Sequence, residues 1–219
     1  KGEVVLGKEF FFSNLPVLYM TTDDGKTPTP QKEEHAGSVF VQGNAEWKSP
    51  YDGAMTIKVR GNSTSNFAKK PWKLKLGEKT KMFGIAKSKH WVLLANYKDK
   101  SSMRNKLAYD FANEVGSLGM KSTWVECVLN GSWQGCYQLC EQIRVEKNRV
   151  DIFDWEDESE ARGYAAENLS WVDPAKEDIT GGYLFEFDNY YDEPSKFIVT
   201  AGNLELKTQL TAPEYLSTN

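Results

Sequence analysis

The chain has 219 residues, 27 basic and 31 acidic, for a net charge of −4. That balance removes any bulk attraction to nucleic acid or acidic lipid. No apolar run approaches the roughly 20 residues that cross a bilayer, and no basic, apolar leader opens the chain. A hydrophobic content of 40% with 13% aromatics is that of a folded globular chain.

In chain order, Phe10 to Thr22 is aromatic and β-branched and ends in Asp23-Asp24-Gly25, which predicts a strand and a turn. Gly25 to Glu34 is rich in Thr, Pro and charge and reads as a loop. Ser38 to Gln42 alternates as a strand, and Gly43 to Asp52 is a second loop. Met55 to Arg60 alternates again, with Met55, Ile57 and Val59 on one face and Thr56, Lys58 and Arg60 on the other. Trp72, Leu74 and Leu76 interleave with Lys73 and Lys75, a half-buried strand carrying two cations. Trp91 to Asn96 is a continuous apolar run suited to a strand covered on both sides.

Asp99 or Ser101 can cap a helix running to about Val115, with Met103, Leu107, Phe111 and Val115 at helical spacing. Gly116 and Gly119 stop it. Trp124 to Cys140 is a hairpin turned by Asn130-Gly131. A helical turn is expected around Asp154 to Glu158, within a polar stretch that continues to Asp178. Gly182 to Asp188 is a strand, and Phe197 to Thr200 with Leu204 to Lys207 make a hairpin; Pro213-Glu-Tyr-Leu starts another helix. The expected fold is α+β: a twisted, mainly antiparallel sheet with one main helix packed on a face.

Three cysteines, Cys127, Cys136 and Cys140, are an odd set for a disulfide framework and read as buried thiols. His35 and His90 are far apart, and no Cys/His spacing fits zinc.

The order strand, small-residue turn, lysine-bearing strand can cradle a phosphate chain. Arg60-Gly61-Asn62-Ser63 supplies small residues whose N–H groups can approach phosphate, with Arg60 as a planar charge; an ordinary polar loop with local turn bonds has the same composition. Lys73 or Lys75 could grip phosphates or be a solvated face. Arg104, on the first turn of the helix, could face the same cleft or be a surface residue. Glu141-Gln142-Ile143, at a strand exit, could hold adenine through backbone groups. Glu186 and Asp188 share a strand face about 7 Å apart, within the range of glycosidase carboxylate pairs, and Asp188, Asp192 and Glu193 could draw a cation. Tyr191 stands where a glucanase-like Glu-x-Asp-x-x-Glu strand needs a Glu, and most acidic clusters of this kind are solvated faces.

Several of these segments, in this order, resemble the spore-coat-protein-H (CotH) family of atypical protein kinases: Leu15-Pro-Val-Leu-Tyr-Met, Ile57-Lys-Val-Arg-Gly-Asn-Ser-Thr, Lys69-Lys-Pro-Trp-Lys-Leu-Lys-Leu, Trp91-Val-Leu-Leu-Ala-Asn-Tyr-Lys-Asp-Lys-Ser, Met103-Arg-Asn-Lys-Leu-Ala, Val128-Leu-Asn-Gly-Ser-Trp-Gln-Gly-Cys-Tyr-Gln-Leu-Cys-Glu-Gln-Ile and Gly181-Gly-Tyr-Leu-Phe-Glu-Phe-Asp. The resemblance implies an extracellular or cell-surface protein with a kinase-like fold, using ATP with Mg or Mn to phosphorylate serine on surface or secreted proteins. It makes Lys75, with Lys73 as alternate, the phosphate-gripping lysine, Arg60 to Ser63 the phosphate loop, and Glu141 to Ile143 the hinge. The family pattern continues into a helical lobe with a catalytic Asp and a Trp-Asp-x-Asp segment, and neither occurs here. Residues 1–219 are therefore expected to be the N-terminal, nucleotide-binding part of the domain, inactive alone. The alternative on the same fold is a non-catalytic surface module for glycan or protein. The kinase reading needs the lysine face to line a concavity; a closed barrel, or lysines turned from any concavity, overturns it.

Overall fold

A computed structural model describes residues 13–30, 33–188, 190 and 192–213. The start of the first predicted strand at Phe10 and the helix predicted from Pro213 to Leu216 lie wholly or mostly outside them. The chain divides into two compact units, Lys1–Gln142 and Ile143–Asn219, with the division inside the predicted hinge.

The first unit is a closed seven-stranded barrel of β1 (Val17–Thr22), β2 (His35–Gln42), β3 (Tyr51–Val59), β4 (Trp72–Met82), β5 (Ile85–Leu94), β6 (Ser122–Leu129) and β7 (Ser132–Glu141), ordered β1-β2-β3-β4-β5-β7-β6. Neighbours are antiparallel except at the closing seam, where β1 pairs with β6 in parallel, Leu18 beside Cys127 and Met20 beside Leu129. Each strand sends alternate residues inward. Leu18, Val39, Ile57, Leu74, Trp91, Val125 and Leu139 are essentially buried within one cluster, with Trp72 stacked on Tyr137 at 4.8 Å. The interior is filled by these side chains.

The expected α+β sheet with a packed helix is thus replaced by an all-β barrel. The helix α1 (Arg104–Glu114) does form, but neither Asp99 nor Ser101 is its cap: the cap position is Met103, which makes no side-chain cap bond, and Asp99 accepts the Arg104 N–H at 2.8 Å from the turn before it. No residue of α1 is buried, however. Its apolar stripe faces outward, because the barrel buries its own strands' apolar residues within itself and needs no helix as a lid.

Two turns show how the strands reverse. Asn130 and Gly131, both at positive φ, join β6 to β7 as expected. Phe83 and Gly84 do the same for β4 and β5. Phenylalanine seldom adopts that conformation; here its ring is 7% exposed and packs edge-on against Trp47 at 6.3 Å, so burial offsets the strain.

The second unit holds α2 (Trp155–Ala161), β8 (Leu184–Phe187), β9 (Lys196–Ala201) and β10 (Leu204–Ala212), the strands forming a sheet in the order β8-β10-β9. Asp154 caps α2 by accepting the N–H groups of Glu156 and Asp157. Trp155 is buried, donates to the Gly181 carbonyl at 3.0 Å and contacts Phe153, Trp171 and Tyr183.

Candidate functional site

Register decides which polar residues meet on the barrel's outer surface. Because Ile57 and Leu74 point inward as partners, Lys58 lies directly across from Lys73 and Thr56 across from Lys75. Lys58 donates to Glu34 at 2.8 Å. That hydrogen bond holds the Glu34 carboxyl below its usual range against a modest burial penalty, and Lys73 and Lys75 pull the same way. Lys58, Lys73, Lys75 and Glu34 therefore form one outer cluster. The predicted pair Lys73 and Lys75 is in it; Lys58 and Glu34 were not singled out from sequence. The cue for Lys58 was its place beside Arg60 on the polar face of the third strand, whereas Glu34 sits in a loop with no pattern.

Arg60 follows β3, and its N–H donates to the Pro71 carbonyl at 3.0 Å. Its charge is felt by Tyr109 of α1 and by Cys140 of β7: burial raises both groups' pKa values, Cys140 to about 12, and Arg60 opposes each shift. Arg60 thus lies near enough to Tyr109 and Cys140 for its charge to act on both.

The loop that follows is tied to itself. Gly61 has φ +85, and a Cβ there would lie 2.1 Å from the Thr64 hydroxyl. The Asn62 carbonyl accepts from both the N–H and the hydroxyl of Ser65, at 3.3 and 2.6 Å. Ser63 begins a 3₁₀ turn, Ser63–Asn66, and is exposed. The Lys70 ammonium donates to the carbonyls of Ser65 and Phe67. These are the local turn bonds of the ordinary-loop alternative.

Arg104 serves its own helix start. Its guanidinium is 3.5 Å from Asp99 with the side chain 78% exposed. At the predicted hinge, the Glu141 N–H donates to the Lys121 carbonyl at 3.1 Å and the Glu141 carboxylate accepts the Lys121 N–H at 2.9 Å. Glu141 is buried by this ladder, so its N–H is already committed, while Ile143 is 58% exposed. The three thiols are free; Cys127 and Cys140 are buried as expected, whereas Cys136 is only half-buried. The Lys69 ammonium donates to the Cys136 carbonyl, stands 4.4 Å over the Tyr137 ring, and has its pKa lowered chiefly by burial.

Among the described residues no group of three or more His, Cys, Asp or Glu side chains is placed to hold a metal ion. Asp188, Asp192 and Glu193 thus make no cation site, and Glu186 lies exposed on β8.

Residues 57–211 match the family described as CotH kinase protein. The chain belongs to the CotH family. The matched span starts inside β3 and runs through the lysine strand, the helix, the hairpin and the small sheet, and so takes in every predicted site residue. The chain is also similar to the inner spore coat protein H of Bacillus subtilis (strain 168), 37% identical over 87 residues. That alignment covers 40% of this chain and 23% of the relative. No helix among the described residues is long and apolar enough to cross a membrane.

Proposed function

We propose that this CotH-family chain contributes the phosphate-contacting surface of an ATP-using phosphotransferase that acts on serine of coat or cell-surface proteins. The observation that carries the reading is the cross-strand pairing of Lys58 with Lys73, beside Lys75, on one outer face. The family's description as a kinase protein and the similarity to a spore coat protein support the reaction class and the location.

The cation cluster suits the charge of a triphosphate, with Lys73 and Lys75 as phosphate contacts and Arg60 at its edge. The divalent cation is a different matter. The described residues do not assemble a ligand set of three or more His, Cys, Asp or Glu for Mg or Mn. Adenine would have to use Gln142 or Ile143, since the Glu141 N–H is spent on Lys121.

The test is ATP titration at low ionic strength, followed by phosphorus NMR, of the parent and of the Lys73→Ala/Lys75→Ala double variant. The parent should bind in the millimolar range and the double variant at least tenfold more weakly. Equal binding by both would end the phosphate-face reading.

The closed barrel rules out the expected cleft walled by an open sheet, so phosphate contact is confined to the outer face, and it favours a second reading, a non-catalytic surface module for glycan or protein. Saturable glycan or protein binding that ATP leaves unchanged, together with no ATP binding, would select it.

A further inference from the structure

Helix α1 is turned inside out. Lys106, Tyr109 and Ala112 are the partly covered positions, while Met103, Leu107, Phe111, Val115 and, just beyond the helix, Leu118 are 45, 59, 68, 60 and 72% exposed. The first four are spaced by four residues, so they form one continuous ridge along the helix. A ridge of this kind on a chain rich in charged residues is an interaction surface.

The charges on α1 name the partner. Its first turns carry Arg104 and Lys106 and its last turns Asp110 and Glu114; no acid lies in the first turn and no base in the last. This is the reverse of what an isolated helix prefers, since the N-terminus carries partial positive charge and the C-terminus partial negative. Lys106 and Asp110 relieve part of the mismatch by pairing at 2.6 Å. Asp99, just before the helix, accepts the Arg104 N–H at 2.8 Å and stands 3.5 Å from its guanidinium, which answers the N-terminal end. The acidic C-terminal end is left, and an antiparallel helix of the same sequence brings a basic end, with the 78%-exposed Arg104, beside it. The ridge is self-complementary in the same arrangement, with i±4 ridges crossing in the commonest helix-packing class.

We propose that α1 is a homotypic docking surface, through which two copies of the chain pair by antiparallel packing of the ridge. The interface is isologous, with the two-fold axis near the middle of the helix. The five apolar side chains expose about three full side chains' worth of surface, on the order of 500 Å² per copy. A pair would bury about 1,000 Å², the floor for a specific contact. The dimer is therefore weak.

Sedimentation equilibrium of the 219-residue chain across the micromolar to hundred-micromolar range tests this directly. The parent should dimerise with concentration. Phe111→Glu, at an exposed position that leaves the barrel intact, should weaken the dimer at least tenfold. Glu114→Lys makes both ends basic and should weaken it severalfold at low salt. Adding Arg104→Glu to Glu114→Lys restores opposite ends and should recover the parent's affinity. A parent that stays monomeric to the top of the range overturns the proposal and leaves the ridge to a different polypeptide. A dimer indifferent to Phe111→Glu overturns it equally, by placing the contact elsewhere.

Discussion

Along β4, successive side chains have opposite fates, and a pair of single substitutions reads them separately. Leu74 is wholly buried in the barrel between Ile57 and Trp91, its cross-strand partners. Leu74→Ala removes three carbons from a packed interior whose closed wall can collapse only partly. The loss of transfer energy plus the cavity left behind is about 2–5 kcal/mol. Lys75, one residue on, is exposed between Thr56 and His90, and Lys75→Ala should change stability by no more than about 0.5 kcal/mol. Urea denaturation followed by the fluorescence of the buried Trp72 and Trp91 measures both. Leu74→Ala should shift the midpoint strongly with an unchanged slope, and Lys75→Ala should overlay the parent. If Lys75→Ala costs as much as Leu74→Ala, the strand register is off by one residue. In that event Lys73 and Lys75 face inward and the outer cation cluster does not exist.

The barrel's seam is open to a similar test. Asn130 accepts the Thr22 N–H at 2.9 Å and donates to the Thr22 hydroxyl and the Lys26 carbonyl, bracing the end of β1 against the β6–β7 turn. Asn130→Gly keeps the positive-φ turn but deletes these bonds, leaving the buried Thr22 N–H unpaired, and should cost about 1–3 kcal/mol in thermal or urea melts. Burial pushes the Cys140 thiol up to about 12. A thiol whose pKa is raised on folding holds its proton in the folded state after the unfolded chain has lost its own. Stability is therefore full below about pH 9 and falls as pH rises towards 12. Between pH 8 and 11 the parent should lose about 2 kcal/mol more than Cys140→Ala does, comparing each with itself at pH 8. Equal alkaline losses in the two proteins would mean that Cys140 is not buried in the folded chain.

Strand alternation and turn chemistry were legible without coordinates because both are local. Met55 to Arg60 and Trp72 to Leu76 sorted their faces by residue type alone, and Asn130-Gly131 marked its hairpin by the one conformation that pair favours. The same is true of the helix: its span was expected over 101–115 and is observed over Arg104–Glu114. Its packing was not legible. The spacing of Met103, Leu107, Phe111 and Val115 announces an apolar ridge but not which way the ridge points, and here it points to solvent. Closure of the barrel was equally hidden. It rests on parallel pairing of Val17 to Met20 with Glu126 to Leu129, more than a hundred residues apart, and no local signal encodes such a pairing. The Phe83-Gly84 turn escaped because phenylalanine is a poor turn residue whose conformation is set by its tertiary contact with Trp47. Within the candidate site the lysines were visible as a pattern, whereas Glu34 required the fold to bring a loop beside them.

Closure also limits what the cation face can do. A unit charge 4 Å from another is worth about 1 kcal/mol in water and about 4 kcal/mol where the effective dielectric falls to near 20. Lys75 is exposed and Lys58 and Lys73 only half-covered, and Glu34 competes for the same cations. Three or four contacts of about 1 kcal/mol give a dissociation constant in the millimolar range, which holds a polyphosphate briefly without fixing it for in-line transfer. Raising each contact severalfold requires water to be excluded from the outer face of β3 and β4. The packed interior cannot do this, because the apolar side chains of the same strands already fill it. Tight nucleotide binding by a CotH-family protein built on this barrel therefore depends on polypeptide laid over the lysine strand from outside. The affinity of the Lys58–Lys73–Lys75 face for ATP, measured with and without such a cover, is the quantity that separates a phosphotransferase from a surface module.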